Sequence, residues 1–180
     1  MAAAFRASIR PVNIVDDIRA LPWIATHSKA LWLPLLITVF STGLAIYTKG
    51  ADSISAFLFA YFVQTPAIGG VFIAGFLAPR ASWLLGIIVG FVAALGYSLY
   101  IVVTASQIVP APAPGVAQDA IVGALILSPL LGAFFAAAAA WYRRFLSLSN
   151  PNRARQAKGS APKRGDGRTR TGSEKASARR

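Results

Sequence analysis

Apolar residues in this chain gather into four long runs, where the surface helix of a soluble domain would space them every third or fourth position. The first run extends from Ala30 to Thr48, the second from Ile54 to Ala78, the third from Trp83 to Ala105 and the fourth from Ala120 to Tyr142. None contains a Lys, Arg, Asp or Glu. At ~1.5 Å per helical residue, each run is about long enough to cross ~30 Å of hydrocarbon. One charge at the centre of such a helix would cost about 2.5–3.5 kcal/mol, so four clean runs form a coherent signal. Trp23, Trp32, Tyr47, Trp83, Trp141 and Tyr142 fall near the ends of these runs, where amphipathic rings favour the membrane interface. The pattern predicts an all-α integral membrane protein with four transmembrane helices, arranged as two helical hairpins.

The flanking segments differ in kind. Residues 1–29 form an N-terminal segment in which Pro11 and Asn13 mark a helix start. Ile14, Ile18 and Leu21 share one face of that helix, with Asp16, Asp17 and Arg19 on the other; Pro22 is expected to end it and Trp23 to sit at the interface. The reading is an amphipathic helix lying on the membrane surface. Residues 30–146 form the transmembrane domain. The link from Pro79 to Ser82 is short enough to force a tight antiparallel hairpin, whereas the link from Gln107 to Asp119 carries Pro110, Pro112 and Pro114 and favours an extended spacer. Residues 147–180 lose apolar periodicity and are expected to be a disordered basic tail.

Composition strengthens this picture. The chain is 56% hydrophobic with a mean hydropathy of +0.57, although the tail is almost devoid of apolar residues. A soluble domain of this size must keep its surface wet and seldom carries so much apolar character. Net charge is +12, and ten of the eighteen Lys and Arg lie in the tail against two acids, Asp166 and Glu174. With both termini on the cytosolic side, seventeen of the eighteen cations are cytosolic and Lys49 alone is external. The positive-inside rule therefore orients the chain, and the expected location is the plasma membrane, as a multi-pass protein of the bacterial inner membrane.

Small residues repeat every fourth position in two of the runs. Gly86, Gly90, Ala94 and Ser98 mark the third, and Ala124, Ser128, Gly132, Ala136 and Ala140 mark the fourth. Such stripes let helix backbones approach closely, either within a compact bundle or across a homo-oligomer face. A short echo links the second and fourth runs: Thr65-Pro66-Ala67-Ile68-Gly69-Gly70-Val71-Phe72 resembles Ser128-Pro129-Leu130-Leu131-Gly132-Ala133-Phe134-Phe135, 63 positions later. The same offset pairs Arg80 with Arg143. This fits two pseudo-repeated hairpins.

Candidate chemistry is sparse. Gln64, Thr65 and Ser128 make up a possible intramembrane polar site beside Pro66 and Pro129, each proline leaving a helical carbonyl without its usual donor. Neighbouring hydroxyls or the Gln64 amide are expected to heal those breaks. His27 is the single histidine and cysteine is absent, which excludes disulfides, thiolate metal sites and cysteine nucleophiles; no cofactor or metal is expected. The chain reads as non-enzymatic. Its tail, with Arg153, Arg155, Lys158, Lys163, Arg164, Arg168 and Arg170 among its cations, suits anionic lipid headgroups, RNA or the ribosome, or an acidic protein partner. The functional expectation is a membrane accessory or scaffold protein acting through that tail. The alternative is a small transporter or channel built from the two hairpins.

Overall fold

The computed structural model describes residues 13–104, 113 and 115–149. Six helices occur among them: α1 Ile14–His27, α2 Lys29–Thr48, α3 Ser53–Phe62, α4 Ile68–Leu77, α5 Ser82–Thr104 and α6 Val116–Ser149. Helices are the regular secondary structure among the described residues, with no strand. Three helices are long and apolar enough to cross a membrane: α2 with 20 residues, α5 with 23 and α6 with 34.

The second apolar run is not one helix. It divides into α3 and α4, each of 10 residues, separated by an unwound segment from Val63 to Ala67. Pro66 is the local cause, since it offers no N–H to the ladder and biases the preceding residue away from helical geometry. The Thr65–Pro66 peptide bond is cis. Each half-helix is about 15 Å long.

Two other boundaries also differ from expectation. α1 continues through Pro22 to His27. Its last turn is held by the burial of Ile24 in the core and by the Trp32 indole, whose Nε1 donates to the Ala25 carbonyl at 2.6 Å. α6 extends seven residues beyond Tyr142. Arg143 and Arg144 mark where hydrocarbon would end, but a charge does not end a helix, and Phe145, Leu146 and Leu148 continue it.

Local chemistry sets the remaining ends. Ser28 caps α2, its hydroxyl accepting from the Ala30 amide at 3.2 Å, and Asp52 caps α3 by accepting from the Ser55 amide at 2.7 Å. Lys49 and Gly50, both at positive φ, turn the chain between them.

α4 and α5 form a central pair; α2 packs on one side of it, α6 on the other, and α3 leans on α2. α2 and α6 stand at opposite corners. A two-fold relation between hairpins would make the α2–α6 pair equivalent to the α4–α5 pair, which is in contact, so the packing is not symmetric. The echo also fails at the backbone: Pro66 lies in a break, whereas Pro129 lies inside the continuous α6.

One cluster of buried residues joins Ile24, Ala30 and Leu31 to Val71, Ala74, Leu85 and Val89. Much of the outer surface is apolar; Leu36, Phe40, Leu130 and Phe134 are each exposed by more than 60%. In water such a surface would aggregate.

Candidate functional site

The junction of α4, α5 and α6 is built on contacts between backbones. A Cβ added to Gly86 would run into the Gly132 carbonyl, one on Gly75 into the Ala136 carbonyl and one on Gly90 into the Ser128 carbonyl. Ala94 is also buried on α5, and Ala124, Ala136 and Ala140 on α6; Ser98 is half-buried, its hydroxyl donating to the Ala94 carbonyl at 2.7 Å. Both small-residue stripes are therefore used inside the chain, mostly against each other. Neither is available on the outer surface as a homo-oligomer face.

These contacts also place the unwound segment. Val71 lies beside Gly132 and Gly75 beside Ala136, so α4 and α6 run parallel in a common register. One turn further along, Ala67 comes level with Ser128. Ser128 and Thr65, the latter two residues before Ala67 in the unwound segment, are two of the three residues expected at a polar site. Gln64, the third, is exposed.

The break is only partly healed. The Phe59 carbonyl accepts from both the Val63 and Gln64 amides at 2.9 Å, and the Ile68 amide donates to the Pro66 carbonyl at 2.6 Å. Ala67, the N-cap of α4, offers no side-chain acceptor to the first-turn amides. Thr65 Oγ1 and Ser128 Oγ are both buried without a hydrogen-bond partner. The expectation that nearby hydroxyls would satisfy the interrupted backbone is not met. Leaving a buried hydroxyl unpaired costs on the order of 1–3 kcal/mol, which makes this the least satisfied polar region among the described residues.

Elsewhere hydroxyls are absorbed locally. Thr38, Ser41 and Thr42 on the buried face of α2 donate to the carbonyls of Pro34, Ile37 and Thr38 at 2.6–2.9 Å. Their spacing of three to four residues was a legible signal for a buried polar stripe, and sequence reasoning passed over it. His27 is a surface residue: its ring stacks on Trp23 at 5.5 Å, and Nδ1 lies 2.6 Å from the Thr26 hydroxyl. No group of three or more potential metal-ligating side chains gathers among the described residues.

A second feature lies where α6 leaves the bundle. The Arg143 guanidinium spans the end of α4, Nη1 donating to the Phe76 carbonyl and Nη2 to the Ala78 carbonyl, each at 2.6 Å. Carbonyls at a helix C-terminus lack intrahelical donors and carry partial negative charge, so a forked cation satisfies both needs at once. Arg80, its counterpart in the sequence echo, is exposed instead. At the same end Trp83 Nε1 donates to Asp17 Oδ2 at 3.0 Å, tying α1 to the start of α5. Replacing Arg143 with Ala should lower stability by about 1–2 kcal/mol, because its bonds are charge-assisted but partly solvated. Lysine, lacking the fork, should recover less than half of the loss in detergent unfolding measurements.

The seven tail cations named above lie outside the described residues. Comparison of the chain with protein-family models, with curated protein sequences and with solved structures finds no match.

Proposed function

We propose that this chain is a non-enzymatic membrane protein whose helical bundle anchors a basic cytosolic tail for contact with an anionic partner. In this reading α2, the α3–α4 pair, α5 and α6 make four crossings, with both termini in the cytosol, and the membrane is a bacterial plasma membrane. The two half-helices together supply about 30 Å, matching the hydrocarbon thickness. The observation that carries the reading is the base of the tail. α6 is a single helix of 34 residues, about 51 Å long, and Arg143 fixes its exit to the end of α4. Ten of the eighteen cations lie in residues 150–180, in direct chain continuity with α6. Removal of residues 150–180 should abolish salt-sensitive association with anionic lipid, RNA or acidic protein while leaving the bundle inserted.

A second reading is favoured by one specific observation, the unpaired Thr65 and Ser128 hydroxyls beside an interrupted crossing. Discontinuous helices near the midplane characterise the binding sites of small transporters and channels. Thr65→Val combined with Ser128→Ala separates the two. Under the anchor reading these variants remove only unsatisfied hydroxyls, so stability is unchanged or rises by about 1–2 kcal/mol and tail-dependent association is retained. A loss of stability, or of association with the tail intact, would favour an occupied polar site.

A further inference from the structure

A groove of about 350 Å³ runs along the seam between α2 and α5. Its walls are Val39, Gly43 and Ile46 from α2 and Val92, Leu95 and Leu99 from α5. Thr38 and Thr42 also line it, but each hydroxyl already donates to its own helix at 2.9 Å, so they offer no strong polar demand. The groove exists because Gly43 and Gly96 leave two gaps of different kinds. A Cβ on Gly96 would meet Thr42 Oγ1 at 2.5 Å, which marks where the helices touch, whereas one on Gly43 would meet nothing within 4 Å.

This groove opens on the apolar exterior: Val39, Leu95 and Leu99 are exposed by 61%, 49% and 52%. On a membrane-spanning bundle that exterior faces acyl chains, not water. Beyond Ile46, the last α2 residue lining the groove, the helix ends in a polar turn. Lys49 lies one turn beyond Ile46 and is exposed, with no ion pair among the described residues. Asp52 follows three residues later, one carboxylate oxygen capping Ser55. The Tyr100 hydroxyl comes 3.3 Å from where a Gly50 Cβ would stand, which closes the seam between α2 and α5 at that level. The turn that ends α2 thus carries one cation and one anion, three residues apart, just beyond the last α2 residue that lines the groove.

We propose that the α2–α5 groove binds a single zwitterionic phospholipid, one acyl chain lying along Gly43 and its phosphate meeting Lys49. Asp52, three residues after Lys49, supplies a carboxylate complementary to an ammonium headgroup. The site depends on the membrane placement of the bundle but not on the tail, which is drawn to net anionic partners.

The test is lipid retention by the full-length protein, delipidated in detergent and titrated with phosphatidylethanolamine, read by native mass spectrometry. The wild type should retain one lipid. Gly43→Leu adds side-chain bulk to the groove at a position where a Cβ meets nothing within 4 Å, and should weaken retention at least tenfold at unchanged or higher melting temperature, with Gly43→Ala falling between. Lys49→Gln should weaken it severalfold. Because the tail is identical in every variant, its contribution cancels. Retention by Gly43→Leu equal to wild type would overturn the proposal, as would dimerisation of the wild type in place of lipid binding. Absence of any tail-dependent association in the wild type, with lipid retention intact, would refute the anchor reading alone.

Discussion

Gly86→Ala is expected to destabilise the bundle by about 3 kcal/mol, although it adds only one methyl group. The added Cβ would press on the Gly132 carbonyl and would lie 2.6 Å from the Ala136 Cβ. A long flexible side chain can move aside, but a backbone carbonyl within a helix cannot move without shifting the helix. Overpacking of this kind typically costs 1–3 kcal/mol. The upper end is expected because separating α5 from α6 also disturbs the Gly90–Ser128 contact one turn away. Van der Waals contact is the main force between apolar helices in lipid, so the loss is not recovered by hydrophobic burial elsewhere. Gly43→Ala supplies the control. Its Cβ meets nothing, and relief of glycine's conformational entropy should raise stability by up to about 1 kcal/mol. Unfolding by a denaturing detergent in mixed micelles reads both; equal responses would show that the close backbone approach does not hold the bundle.

The second large effect concerns the tail. Each of its ten cations contributes up to ~1 kcal/mol at an anionic membrane surface at low ionic strength, less as salt shortens the screening length. No aromatic residue follows Phe145, so base stacking adds nothing and the attraction is largely independent of partner sequence. Deleting residues 150–180 should therefore remove nearly all salt-sensitive association. Neutralising Arg153, Arg155, Lys158, Lys163 and Arg164 alone should remove roughly half of the salt dependence, as expected for dispersed charges. Co-purification at low and high salt measures this. If a polyanionic nucleic acid is the partner, the logarithm of affinity should fall linearly with that of salt, with a slope set by the number of cations engaged. Complete loss on removing any single cation would point instead to a specific docked motif.

How far the chain can be read without its structure depends on whether the governing interaction is local. α2 and α5 were legible because uncharged apolar runs of 19 and 23 residues without a structural break at their centres have few alternatives. The small-residue stripes were legible as packing surfaces; their partners were not, since spacing says nothing about which helix lies opposite. The break at Pro66 was harder. Ser128-Pro129 has nearly the same local chemistry and remains helical. What separates them is tertiary: α6 is pinned by backbone contacts with Gly86 and Gly90 on either side of Pro129, while Val63 and Ala67 let two short helices pack separately. The cap from Arg143 to Phe76 and Ala78 was invisible for the same reason, because its partners lie more than sixty residues away. The sequence singles out Thr65 and Ser128 as polar residues beside prolines, but their unpaired state could emerge only from three-dimensional placement.

The central claim is that the interrupted α3–α4 pair completes a crossing, which places Ala51 and Pro79 on opposite sides of the membrane and the tail on the side of Pro79. The chain contains no cysteine, so single substitutions can be labelled without background. A membrane-impermeant maleimide applied to intact cells should label Ala51→Cys and Gly115→Cys, and should label Pro79→Cys and Ser149→Cys only after permeabilisation. Labelling of Ala51→Cys and Pro79→Cys from the same side would contradict the account, since α3 and α4 would then form a re-entrant loop and the bundle only three crossings.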